Sequence, residues 1–469
     1  MKGTRTVVAG LSCLCLCFAL PLLAQQTASG DESGAVPDSK VAAFVKALEK
    51  RGFTVTEKPF KAANIVYLCC NGYLDSCYGN NSGAPYLTLT YNDGGIDIPE
   101  EQLMGDQDAI VLVGKTPPPI KYFSYRSYLF SRYDPANPNR DTLFVSLGDT
   151  INVDNVKTGG PEGSKPFNRA VIIVSTPDQT TAKMVKASAE DAGFPEEIVN
   201  TDVIPASLTR LGNRDEADHF VFLHRLMLPV PGYEDAVQAY MDSPPVRAFK
   251  ITPADASRTP KPFPMPKLTP RGTGKSEMDL MPSMERLRAA ILAKYADHTA
   301  RELTTGIWLN EGLDGLQRNV NLLGEIRDTT YLSTETFTLD DPDDDFVIVY
   351  GLNHDLTKKA TYSNFSVYGD ELKVGITGKN SPDLYNSACD LIPDDPNASL
   401  FYVYKVALDC GEDPPEKCLK VQPRVPCPLL HLDKGMFIAF RAYLEKKTKT
   451  GPVWTELIYD RAIKFTKEP

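Results

Sequence analysis

The sequence predicts an α+β protein made of two tandem, sequence-related α+β units, with mixed or antiparallel sheets, packed about a pseudo-twofold axis. Three observations lead there: short matches that recur in the same order in both halves, a proline-rich stretch between them, and helical and strand periodicities mixed within each half.

In the first half Ser39 opens an amphipathic helix with Val41, Phe44, Val45 and Leu48 on one face and Gly52 past its end. In the second half Ser283 opens a helix with Met284, Leu287, Ile291 and Tyr295. Each helix is followed by a short apolar run expected to be a strand, NIVYLCC in one half and GIWLNE in the other, so that Tyr67-Leu68 matches Trp308-Leu309. Gly79 then precedes Tyr86-Leu87 by the same step that separates Gly324 from Tyr331-Leu332. Strands ending in glycine follow, IVLVG at Gly114 and VIVYG at Gly351. Ser124-Tyr125 and Thr361-Tyr362 come at equal distances after them. FVFLHRLML from Phe220 resembles FIAFRAYL from Phe437, and each half closes on Arg-Ala-x-Lys, at Arg247 and Arg461. A helix is also expected from Asp178 to Ala192, capped by Gly193.

Between the matches, residues 252–270 hold six prolines. Proline fixes φ and removes a donor, so an extended connector is expected. The units are placed at 37–252 and 282–469, joined by a linker at 253–281. Before them, Lys2 and Arg5, an apolar run over 7–23 and the polar residues after Ala24 have the layout of a secretory signal peptide at 1–24, with a disordered segment at 25–36. No later segment is long and apolar enough to span a bilayer, so no stable membrane insertion is expected after cleavage.

The net charge of -11 and the lack of a basic run argue against nucleic acid as a partner. The class expected is an acidic exported protein, secreted or periplasmic. Seven cysteines lie beyond residue 24, and in an exported chain they point to disulfides. Cys410 is expected to pair with Cys418 across a proline-rich turn, Cys389 with Cys427, and Cys77 with Cys69 or Cys70. On a strand Cys69 and Cys70 face opposite ways, one buried and one toward the loop. Asn80, Asn364 and Asn397 stand in Asn-x-Ser triplets, which are glycan acceptors where that machinery exists.

Several chemical motifs are absent or incomplete. RGTGKS at 271–276 lacks the earlier glycine and the preceding strand of a phosphate loop, and reads as the end of a flexible linker. LFVSLGDTIN at 143–152 carries Thr150 where a Gly-Asp-Ser nucleophile would stand, and no Asp-x-x-His completes a triad. The five histidines show no metal-ligand spacing, and LDDPDDD at 339–345 lacks the glycine of a calcium loop and reads as a solvated acidic turn. No metal and no cofactor are predicted.

The functional expectation rests on loops after strands. In the second half these supply Asn310, Glu311, Asp314, Arg327, His354, Tyr362 and Asn364; in the first, Asn80, Tyr125 and Arg126. If the units face each other, these line a shared cleft for a small-molecule or glycan ligand. A hydrolase or lyase then uses Glu311 or Asp314 as acid or base, His354 and Tyr362 as proton-transfer partners and Arg327 as an anion clamp. Asn310, Asn364, Tyr125, Arg126 and Asn80 bind the substrate. The alternative is a non-catalytic binding or scaffold protein that uses the tyrosine- and arginine-rich strand 121–133 as its surface.

Overall fold

The strand Ala109–Lys115 is almost wholly apolar, as a strand covered on both faces must be. Successive side chains leave on opposite sides. Ala109, Val111 and Val113 therefore join one apolar cluster, Ile110 and Leu112 another. Helices Asp38–Lys50 and Gln179–Asp191 close the first through Val41, Phe44, Leu48, Val185 and Ala189. A second sheet closes the other through Leu87, Leu89, Phe123 and Phe222.

The computed structural model describes residues 36–467 except Glu162 and Ala256, with Pro138 and Asn139 in backbone only. The expected signal peptide and the residues after it up to 35 lie outside the described residues. The first five-stranded sheet runs Phe53–Lys58, Val246–Pro253, Ala109–Lys115, Ala170–Thr176, Val199–Val203, with only its last pair parallel. The eight-stranded sheet over it follows Phe60–Ala62, Tyr86–Asp93, His219–Pro229, Ile120–Asp134, Asn137–Ser146. Toward the C-terminus a five-stranded sheet runs Thr299–Leu303, Arg461–Thr466, Phe346–Leu352, Phe401–Ala407, Cys418–Lys420, again with a parallel last pair. The fourth sheet runs Thr305–Leu309, Thr329–Thr334, Met436–Tyr443, Tyr362–Gly369, Val374–Asn380. Helix Met281–Lys294 covers the third sheet through Met284, Leu287 and Ile291. The protein is thus mixed α/β, with several sheets and few helices. Tyr122, Tyr128, Met227, Tyr362 and Tyr443 pack together between the eight-stranded and fourth sheets.

Two connections cross between the halves. Helix Ile65–Cys70 and its following loop bury Cys69, Cys70 and Cys77 among Leu332, Phe365, Val374 and Phe440. The Cys77 and Gly79 amides donate to the carbonyls of Leu372 and Lys373, each at 2.9 Å. In the other direction, helix Gly312–Arg318 and its loop bring Leu316 and Leu322 against the first half's core. There the Leu322 and Gly324 amides donate to Leu143 and Phe144 at 2.9 and 2.8 Å. Both loops turn through two consecutive left-handed residues: Tyr78 and Gly79 at φ 50° and 60°, Leu323 and Gly324 at φ 54° and 70°. Glycine is required on space as well, because a Cβ at Gly79 would lie 2.9 Å from Trp308, and one at Gly324 2.7 Å from Phe144.

Several expectations are corrected. NIVYLCC is helical and not a strand: the Asn64 side chain accepts the Tyr67 amide at 3.1 Å and caps the turn. Cys69 and Cys70 are consequently both buried, at 0% and 1% exposure, and do not face opposite ways. Cys77 pairs with Cys69, and Cys410 with Cys418. Cys427 pairs with Cys70 and not with Cys389, since helix Ile65–Cys70 carries Cys70 across to it. Asn80 and Asn364 are buried in side-chain contacts in the folded chain. Tyr122, Tyr125 and Tyr128 are core residues, so strand 121–133 offers no tyrosine platform there. The 253–281 stretch is no plain connector either: Arg271 and Glu277 are buried in the second half.

Candidate functional site

Glu311 precedes helix Gly312–Arg318 and faces two guanidinium groups. Arg271 Nε donates to one carboxylate oxygen at 2.8 Å and Arg327 pairs with the other. Arg327 Nε also reaches Asp149 at 2.8 Å, and its Nη2 reaches the Thr269 carbonyl at 2.7 Å. Asp149 in turn accepts the Thr269 amide and hydroxyl. Beside them Glu325 accepts the Ser146 amide at 3.0 Å and its hydroxyl at 2.6 Å; burial raises its pKa more than these bonds lower it. The network joins three separate chain segments, and each edge of Arg327 is engaged. The cavity it shares with Asn310 measures about 10 Å³, at most the volume of one water. Asp314 is outside it, paired with Arg318 one turn on at 2.9 Å.

His354 lies in a different buried cluster. Its Nδ1 is 2.9 Å from Glu277 and its Nε2 3.5 Å from Asp460, and Thr357 also donates to Glu277 while Tyr402 donates to Asp460 at 2.8 Å. Burial alone would lower the imidazole pKa, but the two carboxylates more than offset it and hold it up at about 10. The ring is therefore a charged imidazolium near neutral pH, held as an ion partner.

The remaining expected residues are distributed along the seam and in the first half. Tyr362 donates to Asn380 at 2.7 Å, Asn364 to Asn81 at 2.9 Å, and Asn80 accepts the Gly375 amide at 2.9 Å. Tyr125 stacks on His224 at 4.1 Å, and Arg126 pairs with Asp202 in the first half's interior. Among the described residues, no hydrogen bond or ion pair joins the Glu311, His354 and Tyr362 groups to one another.

An open cleft of about 600 Å³ lies where the halves meet. Its apolar wall comes from Ile65, Ala84, Leu226, Val237, Met241 and Ile376, and its rim carries Asn64, Ser82, Glu234, Gln238 and Arg424. Asn80 is the one expected ligand residue among its lining. Helix Glu234–Asp242 lays Val237 and Met241 inward at a spacing of four, which puts them on one face. Residues 423–425 also line it.

Sequence reasoning missed Arg271, Glu277 and Arg424, all in proline-rich stretches. It also missed Arg225 and Arg441, each the one arginine of a largely apolar strand, in the two stretches that resemble each other. Arg441 Nη2 donates to the Gly79 carbonyl at 2.7 Å, and Arg225 Nη2 donates to that of Gly324. Arg441 lies over Trp308, Tyr331 and Tyr368, and Arg225 over Tyr86 and Tyr128. Neither protein-family models nor curated proteins give a match to this chain. Among the described residues no helix is long and apolar enough to cross a membrane.

Proposed function

We propose that this chain is two copies of one α+β unit, 37–252 and 282–469, set about a pseudo-twofold axis with one loop exchanged, and that the cleft between them binds an amphipathic small molecule without transforming it. The duplication is supported by strand orders that agree position for position in the two pairs of sheets. It is supported further by the reciprocal arginine-to-glycine bonds. Asn81 N–H bonds the Tyr86 hydroxyl at 3.0 Å, as Ile326 N–H bonds that of Tyr331 at 3.1 Å. Arg225 stands opposite Ser124 and Arg441 opposite Asn364 in their sheets. In that register Tyr122, and not Tyr125, is the partner of Tyr362, and both pack on Tyr443.

The observation that carries the binding reading is the cleft itself, about 600 Å³ and walled from both halves. That volume suits a small ligand, and an apolar floor under a polar rim suits an amphipathic one. Acid/base catalysis fits less well, because Glu311, Arg327 and His354 are consumed by buried partners and His354 carries its proton well above neutrality. Three cysteine pairs at bonding distance agree with an exported protein.

Titration with 1-anilinonaphthalene-8-sulfonate, then displacement by a dodecyl glycoside, tests the cleft. Saturable binding is expected, weakened at least tenfold by Ala84→Trp while the melting temperature stays within a few degrees. Binding that Ala84→Trp leaves unchanged, or hydrolysis of the glycoside that Glu311→Gln abolishes, would overturn the reading.

A further inference from the structure

The sulfurs of Cys69, Cys70 and Cys77 all lie within 4.8 Å of one another, and all three residues are buried. Cys69 is bonded to Cys77 and Cys70 to Cys427, so two disulfides share one apolar pocket. Cys427 alone among the four is partly exposed. It belongs to a strap, residues 421–434, with prolines at 423, 426 and 428 and no strand or α-helix beyond a terminal 3-10 turn. Among the described residues, the polar contact of residues 422–429 with the rest of the chain is a 3.5 Å bond from Arg424 to the Ser82 carbonyl. The Cys70–Cys427 bond is the covalent tie of the strap, whose ends pack on the core through Val421, Leu430 and Leu432.

We propose that the four cysteines form one thiol–disulfide exchange centre, entered at Cys427 by an external dithiol, and that reduction releases the strap from the cleft. The last step rests on the cleft being the ligand site; the exchange does not. Exchange requires access for the attacking thiolate, and access here exists at Cys427. One thiolate of the dithiol attacks Cys427 Sγ, the Cys70–Cys427 bond breaks, and Cys70 leaves and takes up a proton. The second thiol of the reagent attacks its own sulfur in the mixed disulfide, which frees Cys427 as a thiol and closes the reagent as a cyclic disulfide. Two electrons have passed to the protein. Cys70, again as thiolate, then attacks Cys77 Sγ and expels Cys69, which takes the proton. That step is redox-neutral, and it leaves Cys70 bonded to Cys77 within the exchanged loop, so Cys427 has lost its partner. The Cys410–Cys418 pair belongs to a separate turn and is the internal reference.

The test uses the full chain. Thiols reactive before reduction are blocked with N-ethylmaleimide, one equivalent of dithiothreitol is added, and new thiols are alkylated with iodoacetamide and mapped by mass spectrometry. Alkylation of Cys427 ahead of Cys410 and Cys418, with a Cys70–Cys77 cross-link beside the original Cys69–Cys77, is the expected result. In Cys427→Ser the same Cys70–Cys77 cross-link is expected with no reductant, which tests the exchange independently of the reduction step. Tryptic cleavage after Arg424 should rise at least tenfold on reduction. Cys427 left unlabelled under native conditions overturns the entry point. Cys69–Cys77 in both proteins with no Cys70–Cys77 cross-link in either overturns the exchange. Unchanged cleavage after Arg424 overturns the release. A strap that opens on reduction in a protein that never binds 1-anilinonaphthalene-8-sulfonate removes the ligand reading and leaves the exchange centre standing.

Discussion

Arg441 and Gly79 are joined by a 2.7 Å hydrogen bond across 362 residues of chain. The guanidinium also lies over the faces of Trp308, Tyr331 and Tyr368 and donates to the Tyr368 hydroxyl at 2.6 Å. Arg441→Met keeps the volume but strands the Gly79 carbonyl in a dry interior. An unsatisfied buried acceptor costs about 1–3 kcal/mol, and each lost cation–π contact about 0.5–2 kcal/mol. Chemical denaturation should therefore show a loss of at least about 2 kcal/mol. A loss below 1 kcal/mol would mean the arginine is not a tie between the halves.

Gly324 tests the second crossing loop. Gly324→Ala must hold a side chain at φ 70° and push its Cβ into the Phe144 ring. The left-handed conformation alone costs an L-residue about 1–2 kcal/mol, so at least about 2 kcal/mol is expected in all. Gly94→Ala is the control, since its φ is also left-handed, at 57°, but nothing lies within 4 Å of its Cβ. Equal losses at the two sites would show that the Phe144 contact carries no weight.

His354 predicts a pH dependence. Its folded pKa, about 10, exceeds the unfolded value of about 6.5, so folding favours the proton. The stabilisation is complete below about pH 6.5 and is lost as pH rises through 10. Unfolding free energies of the parent and of His354→Gln should converge over that window by an amount on the order of 2–4 kcal/mol. A gap between the two proteins that stays constant from pH 6 to pH 10 would refute the imidazolium assignment.

Asp328 works in the same direction at lower pH. Burial raises its pKa to about 7, although the Tyr122 hydroxyl at 2.8 Å and the Asn152 amide at 3.0 Å favour the charge. The neutral acid is the form that folding favours, so its contribution is full below about pH 3.8 and lost as pH rises through 7. Asp328→Asn should thus gain stability relative to the parent between pH 4 and pH 7, read as a rising difference in melting temperature. A falling difference would place the ionised carboxylate in the folded state.

The parts of this molecule legible in the sequence are those where period and cap agree. The helices begun near Ser39 and Ser283 and the one after Asp178 are formed at Asp38–Lys50, Met281–Lys294 and Gln179–Asp191. NIVYLCC was not legible, because a short apolar run fits a buried strand or a buried helix, and Asn64 as its cap decides the matter. The site was less legible still. Polar residues after strands suggest solvent and ligand, yet Glu311, Arg327 and His354 are neutralised by Arg271, Asp149 and Glu277, two of them from a segment whose prolines suggested only a spacer. Which charges will find each other across long sequence separations is set by the packed fold and has no local signature.

The two loops that cross between the halves also fix an order of events during synthesis. The loop that carries Cys70 and Gly79 docks on strands Tyr362–Gly369 and Met436–Tyr443, which the ribosome makes hundreds of residues later. Until those strands emerge, the first half has nowhere to bury helix Ile65–Cys70, and its own core lacks Leu322. Synthesis therefore leaves the apolar face of that helix and its cysteines without their final cover until the second half has followed.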